Sequence, residues 1–225
     1  MAEGTLHPLA NAAIYPSLAG KRVIVSGGAS GIGEGIVEAF VRQGAAVAFV
    51  DVMAEESDAL VRRFADAAIA PVFIHCDIRD SVDYGAKIGK IIDRLGGCDV
   101  LINNAANDDR HSIEDITPEY WDERMAVNLK HQFFAAKAVV PAMKAAGGGS
   151  IVNLGSISWH LGLADLTVYQ VAKATISASP SGVYHLICRG VWTLPGTMVL
   201  TRIRSRPSSR ARLRVSPSIA ALATW

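Results

Sequence analysis

Tyr169 and Lys173 stand four residues apart, and on a helix that spacing puts both side chains on one face. An ammonium beside a phenol favours the phenolate, so the pair predicts a tyrosine whose pKa falls from its ordinary value of about 10 until it can act as a base. Ser156, 13 residues before Tyr169, can bring a hydroxyl to the same reacting oxygen. Asn128 lies inside a long stretch with helical apolar periodicity, where its propensity is poor. It is either a ligand for a water leading to Lys173 or a core amide bonded to backbone. A Tyr/Lys pair is commonplace alone, and its meaning depends on what surrounds it.

A second group points to phosphate. The segment SGGASGIG at 26–33 places Gly27, Gly31 and Gly33 in a G-x-x-x-G-x-G array, with Ser30 and Ile32 between the last three positions, after a predicted strand and at the head of a predicted helix. Glycine allows a tight turn and close approach of a pyrophosphate to the free N–H groups of a helix N-terminus. An ordinary tight turn would use the same residues. Asp51, 18 residues after Gly33, closes the next predicted strand where a carboxylate would accept the adenosine ribose hydroxyls and repel a 2′-phosphate, so NAD is favoured over NADP. The competing role is a cap for the following helix. Asp77 and Ile78 follow the third predicted strand, and Asn103 to Ala106 the fourth, on the same sheet edge. Turn chemistry is the alternative there.

The elements that would position these residues alternate along the chain. Candidate strands are 22–25, 46–50, 72–76, 100–102 and 150–154, several apolar throughout as strands buried on both faces must be. Candidate helices lie near 32–43, 55–66, 82–95 and 120–144, with Gly44 and Gly147 where helices should stop. Right-handed crossovers then give an α/β fold, a Rossmann-type doubly wound parallel sheet flanked by helices in a single domain. Residues 1–17 read as an N-terminal extension, 18–175 as the dinucleotide-binding and catalytic domain, and 176–225 as an aberrant, poorly structured segment.

Composition narrows the class. Half of the 225 residues are apolar, enough for a substantial core, with no apolar run of the roughly 20 residues that a membrane helix needs. No secretory pattern opens the chain, so a cytoplasmic protein is expected, without membrane or nucleic-acid partners. Cys76, Cys98 and Cys188 are widely spaced and read as buried thiols rather than as a metal site. The net charge of +1 hides an asymmetry: no carboxylate follows Asp165, while 166–225 hold Lys173 and seven arginines.

Assembled in order, these motifs resemble the short-chain dehydrogenase/reductase family over about residues 18–175. The resemblance implies a catalytic set of Ser156, Tyr169 and Lys173 with Asn128, and cofactor contacts from Gly27, Ser30, Gly31, Ile32, Gly33, Asp51, Asp77, Ile78, Asn103, Ala105, Tyr169 and Lys173. YPSLAGKR at 15–22, NDDRH at 107–111, YWDER at 120–124 and GSISWHLGLADL at 155–166 are similar to bacterial aldose 1-dehydrogenases of the D-xylose type. That similarity implies oxidation of an aldose at its anomeric carbon, with NAD as hydride acceptor and an aldonolactone as product. Asn107, Asp108, His111, Ser156, Ser158, Trp159, His160 and Tyr169 are then the candidate sugar contacts. A tryptophan face packs on sugar C–H groups and polar side chains give directional hydrogen bonds. The competing account buries Trp159 and solvates the polar residues. Family members commonly form tetramers through the helix that carries the tyrosine and its neighbour.

The chain departs from the pattern at Ala106, where the family usually has glycine, and at its end. Ser-Pro-Ser-Gly at 179–182 breaks the helix of Lys173, and neither the sixth and seventh strands nor the nicotinamide loop of the family is recognisable. Pro195-Gly196-Thr197 looks like that loop but has no convincing strand before it, and is not assigned to the cofactor. Read from the third base, codons for 193–199 are compatible with Leu-Ala-Arg-Asp-His-Gly and those for 202–207 with Asn-Ser-Leu-Ala-Pro. The hypothesis is a frameshift after Thr175, which coding DNA lacking that continuation in its other frames would sink. Impaired assembly and turnover are expected consequences. Two alternatives remain: a short-chain dehydrogenase for another alcohol or ketone, and an inert NAD-binding or scaffold protein with a genuine basic tail.

Overall fold

The computed structural model describes residues 13–178, 191–194 and 198–204, with side chains described to Ile176. Five strands, β1 (Arg22–Ser26), β2 (Ala46–Asp51), β3 (Val72–His75), β4 (Val100–Asn103) and β5 (Gly148–Leu154), form a parallel sheet in the order β3-β2-β1-β4-β5. The connecting helices are α1 (Gly31–Arg42), α2 (Ala54–Arg63), α3 (Ser81–Leu95), α4 (Pro118–Met125), α5 (His131–Ala145), the short α6 (Ser158–Leu161) and α7 (Thr167–Ala178).

Burial follows the strand period of two. Ile24, Ala48, Val50, Leu101 and Ile151 pack on one face against Tyr84, Ile88 and Ile91 of α3 and Val139 and Met143 of α5. Val23, Val25, Val47, Phe49 and Ile102 pack on the other against Val37 and Val41 of α1 and Leu60 of α2. Successive side chains point to opposite faces and both faces are covered, which explains the unbroken apolar runs. Helix ends follow local chemistry. Asp80 caps α3 by accepting from the Val82 and Asp83 N–H groups, Gly96 ends it at φ 71°, and Thr117 caps α4 with Pro118 in the first turn.

The helix expected over 120–144 is interrupted. Between α4 and α5 lies a π-helical turn, Ala126–Lys130, that carries the fully buried Asn128. The wider turn re-aims the side chains it holds, and such turns are frequent at functional sites.

The far sheet edge differs from expectation. A strand does precede residue 195: β6 (Val191–Leu194) pairs antiparallel with β7 (Met198–Arg204), which pairs antiparallel with β5. The resemblance implied a sixth strand reached by a crossover; here the β5 edge is covered by an antiparallel ribbon. Pro195, Gly196 and Thr197 and most of the basic tail lie outside the described residues.

Candidate active site

The strand order reverses between β1 and β4, so the crevice at the carboxyl ends of Ser26 and Asn103 is where an open α/β sheet takes a ligand. Its floor is the glycine loop. Gly27 adopts φ 68° and donates to the Val50 carbonyl, and a Cβ there would stand 2.8 Å from the Ala105 Cα. A Cβ on Gly33 would meet the Gly27 carbonyl oxygen at 1.7 Å. Gly31, at φ 56°, faces open space. Ser30 and Ile32 are exposed, and the Ser30 hydroxyl makes no capping bond to the first turn of α1. An uncapped helix start behind a glycine cradle fits a pyrophosphate.

Asp51 holds the backbone on both sides of the β2 end and does not cap α2, whose N-cap is Met53 with no side-chain capping bond. Its Oδ2 accepts from the Ala29 N–H at 2.9 Å, tying the loop to β2, and its Oδ1 accepts from the Val52 and Met53 N–H groups at 2.8 and 3.0 Å. A carboxylate has about four acceptor positions, so capacity remains for a ribose hydroxyl. The other candidates are engaged elsewhere. Asp77 is paired with Arg79 at 2.6 Å, whose guanidinium holds the carboxyl below its usual range and also reaches Glu123 at 2.8 Å. Ile78 packs in the core, and the fully buried Asn103 donates to Asn153 across β4 and β5 at 2.7 Å. The fixing of the loop falls to Asn104, whose side-chain amide donates to the carbonyls of Ser26 and Gly27 at 3.1 and 2.8 Å. The Ser26 hydroxyl in turn accepts from the N–H groups of Asn104 and Ala105.

The reacting groups converge above this edge. Ser156, in the loop after β5, donates to the Ser158 hydroxyl at 2.9 Å and accepts from the Ser158 N–H at 3.1 Å. Its hydroxyl also draws the Tyr169 pKa downward. Lys173 is 1% exposed; its Nζ donates to the Leu154 carbonyl at 2.8 Å and sits 5.5 Å from the Tyr169 ring centroid. Burial lowers the Lys173 pKa to about 8, opposed by the charge of Asp108. Tyr169 departs from expectation: burial raises its pKa, the Ser156 hydrogen bond pulls it down, and Asp108 adds to the rise. The ammonium lies over the ring face and is itself destabilised by burial, so desolvation of the phenolate prevails over charge attraction.

Asn128 does not offer its side chain to a relay. Its Oδ1 accepts from the Asn107 N–H and its Nδ2 donates to the Asn107 carbonyl, both at 2.9 Å, while its own carbonyl accepts from Gln132. It acts as the core amide bonded to backbone. Asn128→Ala is expected to cost roughly 2 kcal/mol or more, because two backbone groups lose their partners in a water-poor site. A denaturant midpoint unchanged from wild type would refute this.

The candidate sugar contacts also separate. His111, 8% exposed, bonds to the Tyr120 hydroxyl and to the Val168 N–H rather than opening to the crevice. Ser158 is buried against Ser156, Trp159 stacks on His160 with its indole N–H buried, and His160 is exposed. Asp108 is exposed on the crevice side, where its charge reaches Tyr169 and Lys173.

A family profile described as short chain dehydrogenase matches residues 21–181. The chain belongs to that family. Among short-chain dehydrogenases it is 51% identical over 166 residues to D-xylose 1-dehydrogenase of Caulobacter vibrioides, covering 74% of this chain and 65% of that protein. It is 48% identical over 163 residues to a probable galactose dehydrogenase of Rhizobium meliloti, covering 72% and 64%. The chain thus spans less than two thirds of the length of these relatives. The crystal structure of a dehydrogenase/reductase from Sinorhizobium meliloti superposes with a TM-score of 0.68 at 30% identity, covering 74% of this chain and 66% of that one. Thermoplasma acidophilum aldohexose dehydrogenase does so with 0.66 at 26%, covering 76% and 63%.

Among the described residues no helix is long and apolar enough to cross a membrane, and no cluster of His, Cys, Asp and Glu could hold a metal ion. The sequence places Asn104 on the ligand edge beside Asn103 but gives it no role. The missing signal is depth: the last residue of β4 points into the sheet, and the next one, already off the strand, reaches the loop.

Proposed function

We propose that this short-chain dehydrogenase oxidises the anomeric C1 hydroxyl of an aldose, D-xylose or a close analogue, to the aldonolactone with NAD, and that it works in the cytoplasm. The observation that carries the reading is the convergence of the Ser156 hydroxyl, the Tyr169 phenol and the Lys173 ammonium beside an open, glycine-cradled helix N-terminus. The sugar is proposed from the names of the relatives at 51% and 48% identity.

Bound NAD supplies the hydride acceptor. Tyr169 takes the proton of the C1 hydroxyl, so that the two electrons of the C1–H bond leave as hydride and a C=O bond forms. Ser156 holds the reacting oxygen against the phenol. Lys173 stabilises the phenolate by its charge, and its own lowered pKa of about 8 makes it a proton carrier near neutrality. Gly27, Gly31 and Gly33 hold the pyrophosphate, Asp51 the ribose. The catalytic unit is proposed to span 18–175, and assembly through α5 and α7 to involve further copies of the chain.

The test is NADH absorbance from the purified chain supplied with NAD and D-xylose, beside a panel of secondary alcohols. Aldose-dependent NADH formation is expected. Turnover of a non-sugar alcohol with none of any aldose would favour the alternative dehydrogenase, and NAD binding without turnover of any substrate would favour an inert binder.

A further inference from the structure

The helix that carries Tyr169 also fixes the loop that carries Ser156. Gln170, the next residue on α7, donates from Nε2 to the Ser158 carbonyl at 3.2 Å and to the Leu163 carbonyl at 2.7 Å. Ser158 opens α6, a single turn ended by Gly162 at φ 59°, and the Leu163 N–H also donates to the Ser158 carbonyl at 3.4 Å. A helix of four residues has little stability of its own, so these tertiary bonds set where it stands. Ser158 is 5% exposed and Ile157 before it is 49% exposed, so the turn directs the serine inward, onto Ser156. There the Ser158 N–H donates to the Ser156 Oγ at 3.1 Å, and the Ser156 hydroxyl donates to the Ser158 Oγ at 2.9 Å.

We propose that Ser158 is a positioning residue for the reaction: its hydroxyl holds the Ser156 proton and, by reversing the bond between the two serines, turns that proton onto the reacting oxygen. Gln170 anchors Ser158 to the helix of Tyr169. The inference rests on the proposed oxidation through Ser156 and adds to it what aims the Ser156 hydroxyl.

The argument is one of donors and acceptors. A serine hydroxyl has one proton to donate and two lone pairs. In the geometry above the Ser156 proton goes to Ser158, and one lone pair is taken by the Ser158 N–H. The reacting oxygen gives its own proton to Tyr169 and ends as a carbonyl, which only accepts, so Ser156 must become its donor. Rotation of two hydroxyl hydrogens achieves this without moving a heavy atom. The Ser158 hydroxyl then donates to Ser156, and Ser156 donates to the reacting oxygen. Both lone pairs of Ser156 are filled from Ser158, so its remaining capacity is the one donation that the chemistry needs. Hydrogen bonds in such a chain polarise one another, which strengthens the last of them as negative charge grows on the reacting oxygen.

The experiment compares wild type, Ser158→Ala, Ser158→Thr and Gln170→Glu by initial rates with D-xylose and with C1-deuterated D-xylose, by NAD titration and by thermal melts. Ser158→Ala keeps the backbone N–H and loses the hydroxyl, so kcat is expected to fall about tenfold while KM and NAD affinity hold. The deuterium isotope effect on kcat should not shrink, because the hydride step is the one slowed. Ser158→Thr keeps a hydroxyl and should stay within about threefold of wild type. Gln170→Glu sets an acceptor against two carbonyls and should lower kcat in the same direction, again with NAD affinity retained. An Ala variant with wild-type kcat, or a loss that the Thr variant shares in full, overturns the inference and leaves the aldose reading standing. A wild type that turns over a secondary alcohol but no aldose overturns the aldose reading alone, and the same variants then decide the inference on that alcohol. A folded wild type that turns over neither overturns both.

Discussion

Tyr169→Phe is expected to cut NADH formation from an aldose by about 10²- to 10⁴-fold, the range for loss of a positioned proton-transfer group. The Tm and NAD affinity should hardly change. The substitution removes one oxygen and keeps the ring on which Lys173 rests, 5.5 Å from its centroid. The Ser156 hydroxyl keeps both of its bonds to Ser158, and Lys173 keeps the Leu154 carbonyl. Because burial already raises the phenol pKa, losing the hydroxyl removes a polar group from a half-buried place at small cost to the fold. Lys173→Met is a poorer test, since it alters the charge beside the phenol and removes the donor that Lys173 gives the Leu154 carbonyl. Initial rates with D-xylose, NAD titrated by fluorescence and a thermal melt suffice. A Phe variant retaining more than about a tenth of wild-type kcat/KM would remove Tyr169 from the role of base.

Strands, helices and the shared helix of Tyr169 and Lys173 were legible because each carries a local signal. Val23 to Val25, Val47 to Val50 and Leu101 to Ile102 announce strands by composition, and Tyr169 with Lys173 needs only helical spacing. What was not legible depends on contacts distant in the chain. For Asn128 the sequence left a water ligand and a core amide open, and only the fold supplies the partner that decides, the backbone of Asn107, 21 residues away. The π-helical turn beneath it leaves no mark in apolar periodicity, since one additional residue only shifts the phase. Asp77 matched a cofactor contact by position, but Arg79, two residues on, claims its carboxylate. The direction of the Tyr169 pKa shift was missed for a related reason. Charge attraction from Lys173 can be read off spacing, whereas desolvation and the opposing Asp108 come from tertiary burial. At the C-terminal side, the family pattern could say that a sixth strand in its usual form was missing, but not that β7 would cover β5 from the antiparallel direction.

Gly33→Ala should have the larger effect on the fold and on NAD alike. Real Cβ atoms essentially never approach closer than 3.0 Å, and this one would begin 1.7 Å from the Gly27 oxygen and 2.6 Å from the Asn104 amide nitrogen. Neither neighbour can yield. Gly27 is held at φ 68° against Ala105, its carbonyl is bonded to Asn104, and the loop is pinned to Asp51 through Ala29. Relief therefore requires α1 to move off the loop by more than an ångström, opening its packing through Val37 on the sheet and breaking the Asn104 bonds together. Overpacking of this kind costs about 1–3 kcal/mol, so a clear drop in Tm is expected along with loss of measurable NAD binding. Gly31→Ala is the control. Its Cβ points into open space, so only the strain of φ 56° remains, about 1 kcal/mol, and the fold should survive. If Gly31 borders the pyrophosphate, that variant loses NAD affinity while staying folded, whereas Gly33→Ala loses both. A Gly33→Ala chain that melted like wild type and bound NAD normally would mean that the glycine cradle is not what closes α1 onto the sheet edge.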